Sequence, residues 1–191
     1  MLDHEVIDLL LKLADIRRDQ KTTAKLLINT LKSLRGVLYT SPGQLKKIKE
    51  VGKANIFGLK LVQSVACRYM KDQAIGTDYI QSSENVVDFL LHNLRDRNSE
   101  AFLVSLLNGR NQVLDIIELF KGTLTTSAVY PREVIKLILE KAAAAVIFVH
   151  NHPSWNPNPS EDEQKITRKL KKACNTIDVQ VQNHFIIGGN D

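Results

Sequence analysis

Two histidines separated by one residue stand directly after a short apolar run. His150 and His152 follow residues 146–149, whose β-forming side chains are typical of a buried central strand. In an extended chain, residues two apart point to the same side, so both imidazoles are expected on one face at the strand's end. Neutral imidazole is a common ligand of divalent metal ions. The pair therefore predicts a metal site, with hydrogen bonding to a loop as the alternative.

A third ligand is expected from the acidic residues that follow. Ser160 is a natural N-cap of the next helix, which makes Glu163 the N3 residue, on the same side of the first turn. Asp162 is turned about 100° away from Glu163 and is the alternative ligand. Two histidines, one carboxylate and an open position are typical of catalytic zinc sites. Ser160-x-x-Glu163 is also an ordinary capping box that needs no metal.

The elements that position these residues are predicted to be mixed helices and strands. Asn108-Gly109 between two apolar runs predicts a β-hairpin of residues 101–107 and 113–120. Further elements are a helix from Glu84 capped by Ser83, a helix from Pro131 to Ala144, a helix ending near Cys174, and edge-strand segments at 179–181 and 185–187. The chain stops soon after the last segment, so we expect the domain to be truncated at its C-terminal end.

The N-terminal part is predicted to be a small helical domain, residues 1–75, before a second domain of residues 76–191. A helix from Pro42 to about Lys49, the turn Glu50-Val51-Gly52-Lys53 and a further helix outline a helix-hairpin-helix. Its turn is surrounded by lysines that predict phosphate contacts with DNA: Lys46, Lys47, Lys49, Lys53 and Lys60. Glu50 stands where such hairpins usually have glycine, and a purely structural turn is the alternative.

Charge and composition narrow the protein class. Residues 1–76 carry 14 Lys and Arg against 7 Asp and Glu (+7), whereas residues 77–191 carry 12 against 14 (−2). This distribution suggests a polyanion-facing module attached to a near-neutral domain. No apolar run approaches the roughly 20 residues of a membrane span, and no leader pattern is seen. Cys67 and Cys174 are isolated, so we expect a cytoplasmic protein without disulfides.

Several motifs together resemble one protein family. His150-x-His152, followed by Ser160 and an acid three residues later, resembles the JAMM (MPN+) metalloprotease motif, and residues 150–154 (His-Asn-His-Pro-Ser) have the form found in bacterial RadC proteins. Phe120-x-Gly122-Thr123-Leu124 and Pro131-Arg132-Glu133 are also similar to that family. The order of a helix-hairpin-helix-like domain before a JAMM domain agrees as well, so the resemblance covers almost the whole chain.

The resemblance implies a mixed-sheet α/β JAMM/MPN domain, similar to cytidine deaminases in fold, after a small all-α domain. It implies Zn²⁺ held by His150, His152 and an acid, here Glu163 or Asp162. It also implies hydrolysis of a peptide or isopeptide bond in a protein or peptide substrate. Catalytic roles fall to Glu100 as general base, with Glu133 as the competing candidate, and to Ser160 as oxyanion stabiliser. The alternative function is that of a non-catalytic or weakly active, DNA-associated module of the DNA-repair type that keeps the fold.

The sequence departs from the family pattern at three positions. Glu163 stands at a ligand position where aspartate is expected. Trp155 replaces a glycine after His-Asn-His-Pro-Ser and is expected to shape the mouth of the site. Asn183 replaces an aspartate before His184. A zinc deaminase is disfavoured because the sequence lacks the paired His-x-Glu and Pro-Cys-x-x-Cys arrangement.

Overall fold

The computed structural model describes residues 1–15, 19–79, 84–95, 97, 99–122, 129–154, 156 and 158–188. The chain divides into two compact units, Met1–Arg68 and Tyr69–Asp191. This division falls inside the helix Lys53–Ala74, whereas the sequence places the domain boundary just after that helix. The boundary at residue 75 stays a prediction. Among the described residues, no helix has the length and apolar character needed to cross a membrane.

The N-terminal unit consists of helices that share one apolar core. They are α1 (Asp3–Ala14), α2 (Lys21–Leu31), α3 (Leu34–Tyr39), α4 (Pro42–Leu45) and the larger part of α5 (Lys53–Ala74). The buried core comprises Ile7, Leu11, Ala24, Leu27, Val37, Leu45, Val51 and Leu59. Apolar residues at helical spacing supply this core, because they form one stripe on each helix.

The predicted hairpin turn follows a shorter helix than expected. α4 begins as predicted, with Ser41 Oγ accepting a hydrogen bond from Gln44 N, but it ends at Leu45 instead of near Lys49. Non-helical turns occupy the residues up to the start of α5. Glu50 has a φ of 68°, the left-handed conformation that favours glycine. A glutamate thus adopts the conformation that the hairpin glycine would supply.

The C-terminal unit has the predicted α/β class, with a mixed sheet. Its elements are α6 (Glu84–Leu94), β1 (Ala101–Leu107), β2 (Val113–Lys121), α7 (Pro131–Glu140), β3 (Ala145–Asn151), α8 (Glu161–Asn175) and β4 (Gln180–Ile187). The strand order is β2-β1-β3-β4, with β4 parallel to β3 and the other neighbours antiparallel. α7 ends at Glu140 and not at Ala144, whereas the predicted cap Ser83 and the family-like Thr123-Leu124 lie outside the described residues.

The central strand β3 is buried on both faces of the sheet. On one face Val146 and Phe148 pack with residues of α7 and α8, and on the other Ile147 and Val149 pack with α6. Side chains alternate along a strand, so His150 belongs to the face that carries α8. The sheet therefore brings the histidine end of β3 next to the first turns of α8.

Candidate metal centre

Three potential ligand atoms converge at the end of β3. Nε2 of His150 and Nε2 of His152 are 3.0 Å apart, and Oε1 of Glu163 lies 2.8 Å from the second and 3.4 Å from the first. His150 and Glu163 are buried, and the side chain of His152 is 9% exposed. Asp162, the alternative ligand, is instead about half exposed and pairs with Lys165 at 3.2 Å. The structure thus brings Glu163, and not its neighbour, to the histidines.

The Glu163 carboxylate uses its two oxygens differently. Oε2 accepts a hydrogen bond from Ser160 N at 2.7 Å, and Glu163 N donates to Ser160 Oγ at 3.3 Å, which completes the capping box of α8. Oε1 is the atom that faces the histidines. Helix cap and metal ligand, which the sequence leaves as alternatives, are therefore compatible within one side chain.

A hydrogen-bond relay behind His150 determines which of its nitrogens carries the proton. Thr167 Oγ1 donates to the Glu163 carbonyl oxygen at 2.7 Å, so it accepts from His184 Nδ1, also at 2.7 Å. His184 Nε2 is then the acceptor for His150 Nδ1 at 2.9 Å. With Nδ1 protonated, a neutral His150 presents a bare Nε2 lone pair to the cluster.

The second histidine is oriented in the same way by a backbone carbonyl. His152 Nδ1 lies 2.5 Å from the carbonyl oxygen of Asn156 and donates to it, which leaves Nε2 as a lone pair in the neutral ring.

Burial lowers the pKa of His150 to about 4 and that of His184 to about 3. Both relay histidines are therefore neutral at pH 7, the state in which imidazole binds metal.

The third potential ligand atom, Oε1 of Glu163, belongs to a carboxylate and brings negative charge next to the two imidazole lone pairs. Burial alone raises the pKa of the Glu163 carboxyl, but the hydrogen bond from Ser160 N and the interactions with His152 and His150 hold it below its usual value. Three acceptor atoms thus face one another, and a single proton satisfies only two of them. The ligand atoms of a tetrahedral zinc site with bonds of 2.0–2.1 Å are about 3.3 Å apart. The spacing and chemistry of the cluster fit such an ion.

The predicted base, Glu100, lies at the same end of the strands β1 and β3 as the histidines. Glu100 directly precedes β1, whose Phe102 is the register partner of His150. Its carboxylate is not one of the three converging atoms. Glu133, the competing base, lies in the first turn of α7, is exposed and pairs with Arg132 at 3.0 Å. The placement thus favours Glu100 over Glu133.

The residue between the two histidines fixes the backbone around Glu100. Asn151 is 1% exposed, its Oδ1 accepts from Ala101 N at 2.8 Å, and its Nδ2 donates to Ser99 O at 3.3 Å. The carbonyl of Glu100 itself accepts from Gly122 N at 2.8 Å. One buried amide therefore connects the histidine strand to the segment that carries the predicted base.

Sequence reasoning did not assign roles to Thr167, His184 and Asn151. Thr167 follows Glu163 by four residues on a helix, a spacing that places both on one face and was a usable signal. His184 depends on the pairing of β4 with β3, which local patterns do not give. Asn183 stands where the family pattern has aspartate, and it still provides an acceptor, because its Oδ1 accepts a hydrogen bond from His184 N at 2.8 Å. The expected effect of Trp155 lies outside the described residues.

The lysines predicted to contact DNA fall into two groups. One lysine is engaged within the protein: Lys60 Nζ donates to the Leu38 carbonyl and to Gln63, and burial lowers its pKa. The others are exposed: Lys46, Lys47, Lys49 and Lys53. Lys60 is therefore an unsuitable phosphate contact, and DNA binding by the exposed group stays a prediction.

The chain is similar in sequence to known proteins of one family. The sequence profile of the RadC-like JAB domain matches residues 80–191. A UPF0758 protein of Idiomarina loihiensis is 36% identical over 189 residues, which are 99% of this chain and 84% of the relative. UPF0758 proteins of Shewanella baltica and Shewanella pealeana are 35% and 33% identical over the same shares.

Proposed function

Since this chain belongs to the RadC family, with a RadC-like JAB domain at residues 80–191, we propose that it is a zinc-dependent hydrolase of peptide or isopeptide bonds. The observation that carries the proposal is the convergence of three potential ligand atoms, from His150, His152 and Glu163, within 3.4 Å of one another. These residues would hold the ion. Its identity as zinc is inferred from the mixed nitrogen and oxygen donors.

The proposed reaction assigns separate tasks to residues of the chain. Bound zinc supplies Lewis acidity and lowers the pKa of a water molecule towards 7. Glu100, held between backbone groups bonded to Asn151, takes a proton as general base and returns it to the leaving amine. Ser160 Oγ already accepts a hydrogen bond from Glu163 N, so its own proton is available to a developing oxyanion.

Metal analysis of the purified full chain tests the metal part of this proposal. We expect about one zinc per chain in the wild type and none in the H150A/H152A variant, because two of three ligands are removed. An H4A variant, which removes an imidazole of the N-terminal unit, is the matched control and should keep its zinc. A wild-type protein without zinc after exposure to the ion, or unchanged zinc in H150A/H152A, would contradict the proposal.

Hydrolysis is tested separately with linear and isopeptide-linked peptides followed by mass spectrometry. The E100Q variant should retain zinc while its turnover falls about 10²- to 10⁴-fold, the usual contribution of a general base. An E133Q variant should behave as wild type, since Glu133 is exposed and paired with Arg132. Loss of activity in E133Q alone would move the base to α7.

A second candidate function is that of a DNA-associated module of the DNA-repair type. The observation in its favour is the exposed group Lys46, Lys47, Lys49 and Lys53 around a turn in which Glu50 has a φ of 68°. Backbone N–H groups and lysines of such a turn are suited to phosphate contacts without base recognition. This function does not require the metal cluster and can coexist with hydrolysis.

We also propose that the protein acts in the cytoplasm. Cys67 and Cys174 are both free thiols. Burial raises the pKa of Cys174 to about 11, so this side chain stays protonated and unreactive at neutral pH. Unpaired cysteines of this kind are usual in a reducing compartment.

A further inference from the structure

A pocket of about 350 Å³ opens beside the metal cluster. Its walls come mainly from α8 and β4, and two cluster members, His150 and Glu163, form part of them. A ligand in this pocket would therefore lie next to the proposed zinc ligands. The volume suits one amino-acid side chain or a peptide terminus, and it is at the small end of ordinary ligand sites.

The described part of the pocket wall carries two cations that form no ion pair with a described acid. Arg168 and Lys171 stand three residues apart, on one face of α8. Both are exposed, and neither has a hydrogen-bond or ion-pair partner within the described ranges. Glu163 is the one acid among the described lining residues, and both of its oxygens are engaged at the helix cap and the histidines.

Other polar groups of the described pocket wall carry no charge. They include the side chains of Gln164, Thr167 and Asn183. An anion entering the pocket would gain two charge-assisted contacts, one of them with a guanidinium that binds carboxylates in bidentate fashion.

We propose that this pocket binds a carboxylate of the substrate, so that the protein acts on peptides with an acidic side chain or free C-terminus next to the hydrolysed bond. The inference rests on the proposed function, which supplies the peptide class. A nucleic-acid strand fits less well, because such strands bind along open grooves with several cations and aromatic stacking platforms. The described lining residues offer two cations and no phenylalanine, tyrosine or tryptophan.

Binding of a labelled acidic peptide to the zinc-loaded full chain tests the inference. The probe is a fluorescein-labelled peptide of alternating glycine and glutamate, compared by anisotropy with its glutamine counterpart. The test variant is R168A/K171A, and the matched control is K169A/K172A, which removes two exposed charges from the same helix outside the pocket. Zinc content and thermal melting of each variant establish that the fold and the metal are retained.

We expect the glutamate peptide to bind at least about tenfold more tightly than the glutamine peptide. R168A/K171A should lose about tenfold in affinity and K169A/K172A less than about twofold, as expected for two partly exposed ion pairs. Equal binding of the two peptides, or equal losses in the two variants, would overturn the inference. Tighter binding of single-stranded DNA with the same Arg168 and Lys171 dependence would overturn the peptide assignment.

The two proposals fail in distinguishable ways. If the protein binds no zinc but still selects the glutamate peptide through Arg168 and Lys171, the carboxylate pocket is supported and the hydrolase proposal is contradicted. If the protein binds zinc and cleaves peptides without this selectivity, the hydrolase proposal is supported and the carboxylate pocket is contradicted. Repeating the anisotropy measurement in a chelator separates these results, because the two cations are not themselves metal ligands.

Discussion

The histidine cluster of the C-terminal unit and the lysine turn of the N-terminal unit are organised in opposite ways. In the cluster, His150 and Glu163 are buried and hydrogen-bonded to their neighbours. In the turn, Lys46, Lys47 and Lys49 are exposed to solvent. Metal chemistry requires atoms fixed within a few tenths of an ångström, whereas non-specific phosphate binding requires only charge at the surface.

The comparison predicts different sensitivities for the two regions. Single conservative substitutions should have large effects in the cluster, because each side chain orients another. In the turn, effects should accumulate one charge at a time.

Glu163→Gln should separate the two roles of this side chain. Glutamine at the N3 position can still complete a capping box, so melting should change little. The neutral amide is a poor replacement for the carboxylate ligand, so zinc affinity should fall more than about 100-fold. This loss exceeds the usual one for replacing a residue that only hydrogen-bonds to a ligand. Competition with a zinc chelator measures this, and D162N is the control. A zinc loss in D162N equal to that in E163Q would show that Asp162 is the ligand.

Thr167→Val should weaken zinc binding about 10- to 100-fold. Valine has the shape of threonine but neither accepts from His184 nor donates to the Glu163 carbonyl, so the tautomer of His150 is no longer fixed. Thr167→Ser keeps the hydroxyl and should recover most of the affinity. The same chelator competition measures both variants, and equal zinc affinity in valine and serine variants would disprove the relay.

Neutralising the turn should change DNA binding gradually. If DNA is bound there, K46A/K47A/K49A should reduce the slope of log affinity against log salt by about 0.9 for each lysine that contacts a phosphate. K21A/K25A/K32A removes three other exposed lysines of the same unit and serves as control. Zinc content should be unchanged in both. Identical salt slopes in the two triple variants would remove the turn as the DNA-contacting surface.

Asp115 is a partly exposed, structural ion-pair site. Among the substitutions considered, its replacement should have the smallest effect, and that effect is on the stability of the fold. Partial burial favours its neutral form, but hydrogen bonds from Lys71 and Lys141 hold its pKa below the usual value. Its stabilisation is therefore present above the unfolded pKa and lost as pH falls through the lower folded pKa. Asp115→Asn should cost about 1 kcal/mol at pH 7. Denaturant unfolding should show this difference shrinking as the pH falls below the unfolded pKa and through the lower folded pKa of Asp115.

Local patterns were sufficient for much of the fold. Asn108-Gly109 predicted the hairpin of β1 and β2, and the apolar run at residues 146–149 predicted the buried strand. The ends of α4 and α7 were predicted too far along the chain, because apolar spacing continues past the last helical hydrogen bonds. Helix ends depend on local turn conformation, which periodicity does not encode.

The site was predictable only where its members are close in sequence. His150, His152 and Glu163 could be grouped because strand and helix spacing place them together. The contact between His184 and His150 spans 34 residues, and Asn151 reaches Ala101 across 50. Such contacts depend on strand order and register, so they appear only once the sheet is assembled.

The Glu163 carboxylate both caps α8 and faces the histidines, and this affects how fast a bound metal ion can be released. Oε2 restrains the first turn of α8 while Oε1 faces the histidines, so fraying of that turn releases both oxygens together. For an ion held by this carboxylate, the dissociation rate is therefore linked to the opening rate of one helical turn. Amide hydrogen exchange at the start of α8 should slow when the metal is added, which would make this helix end a direct reporter of occupancy.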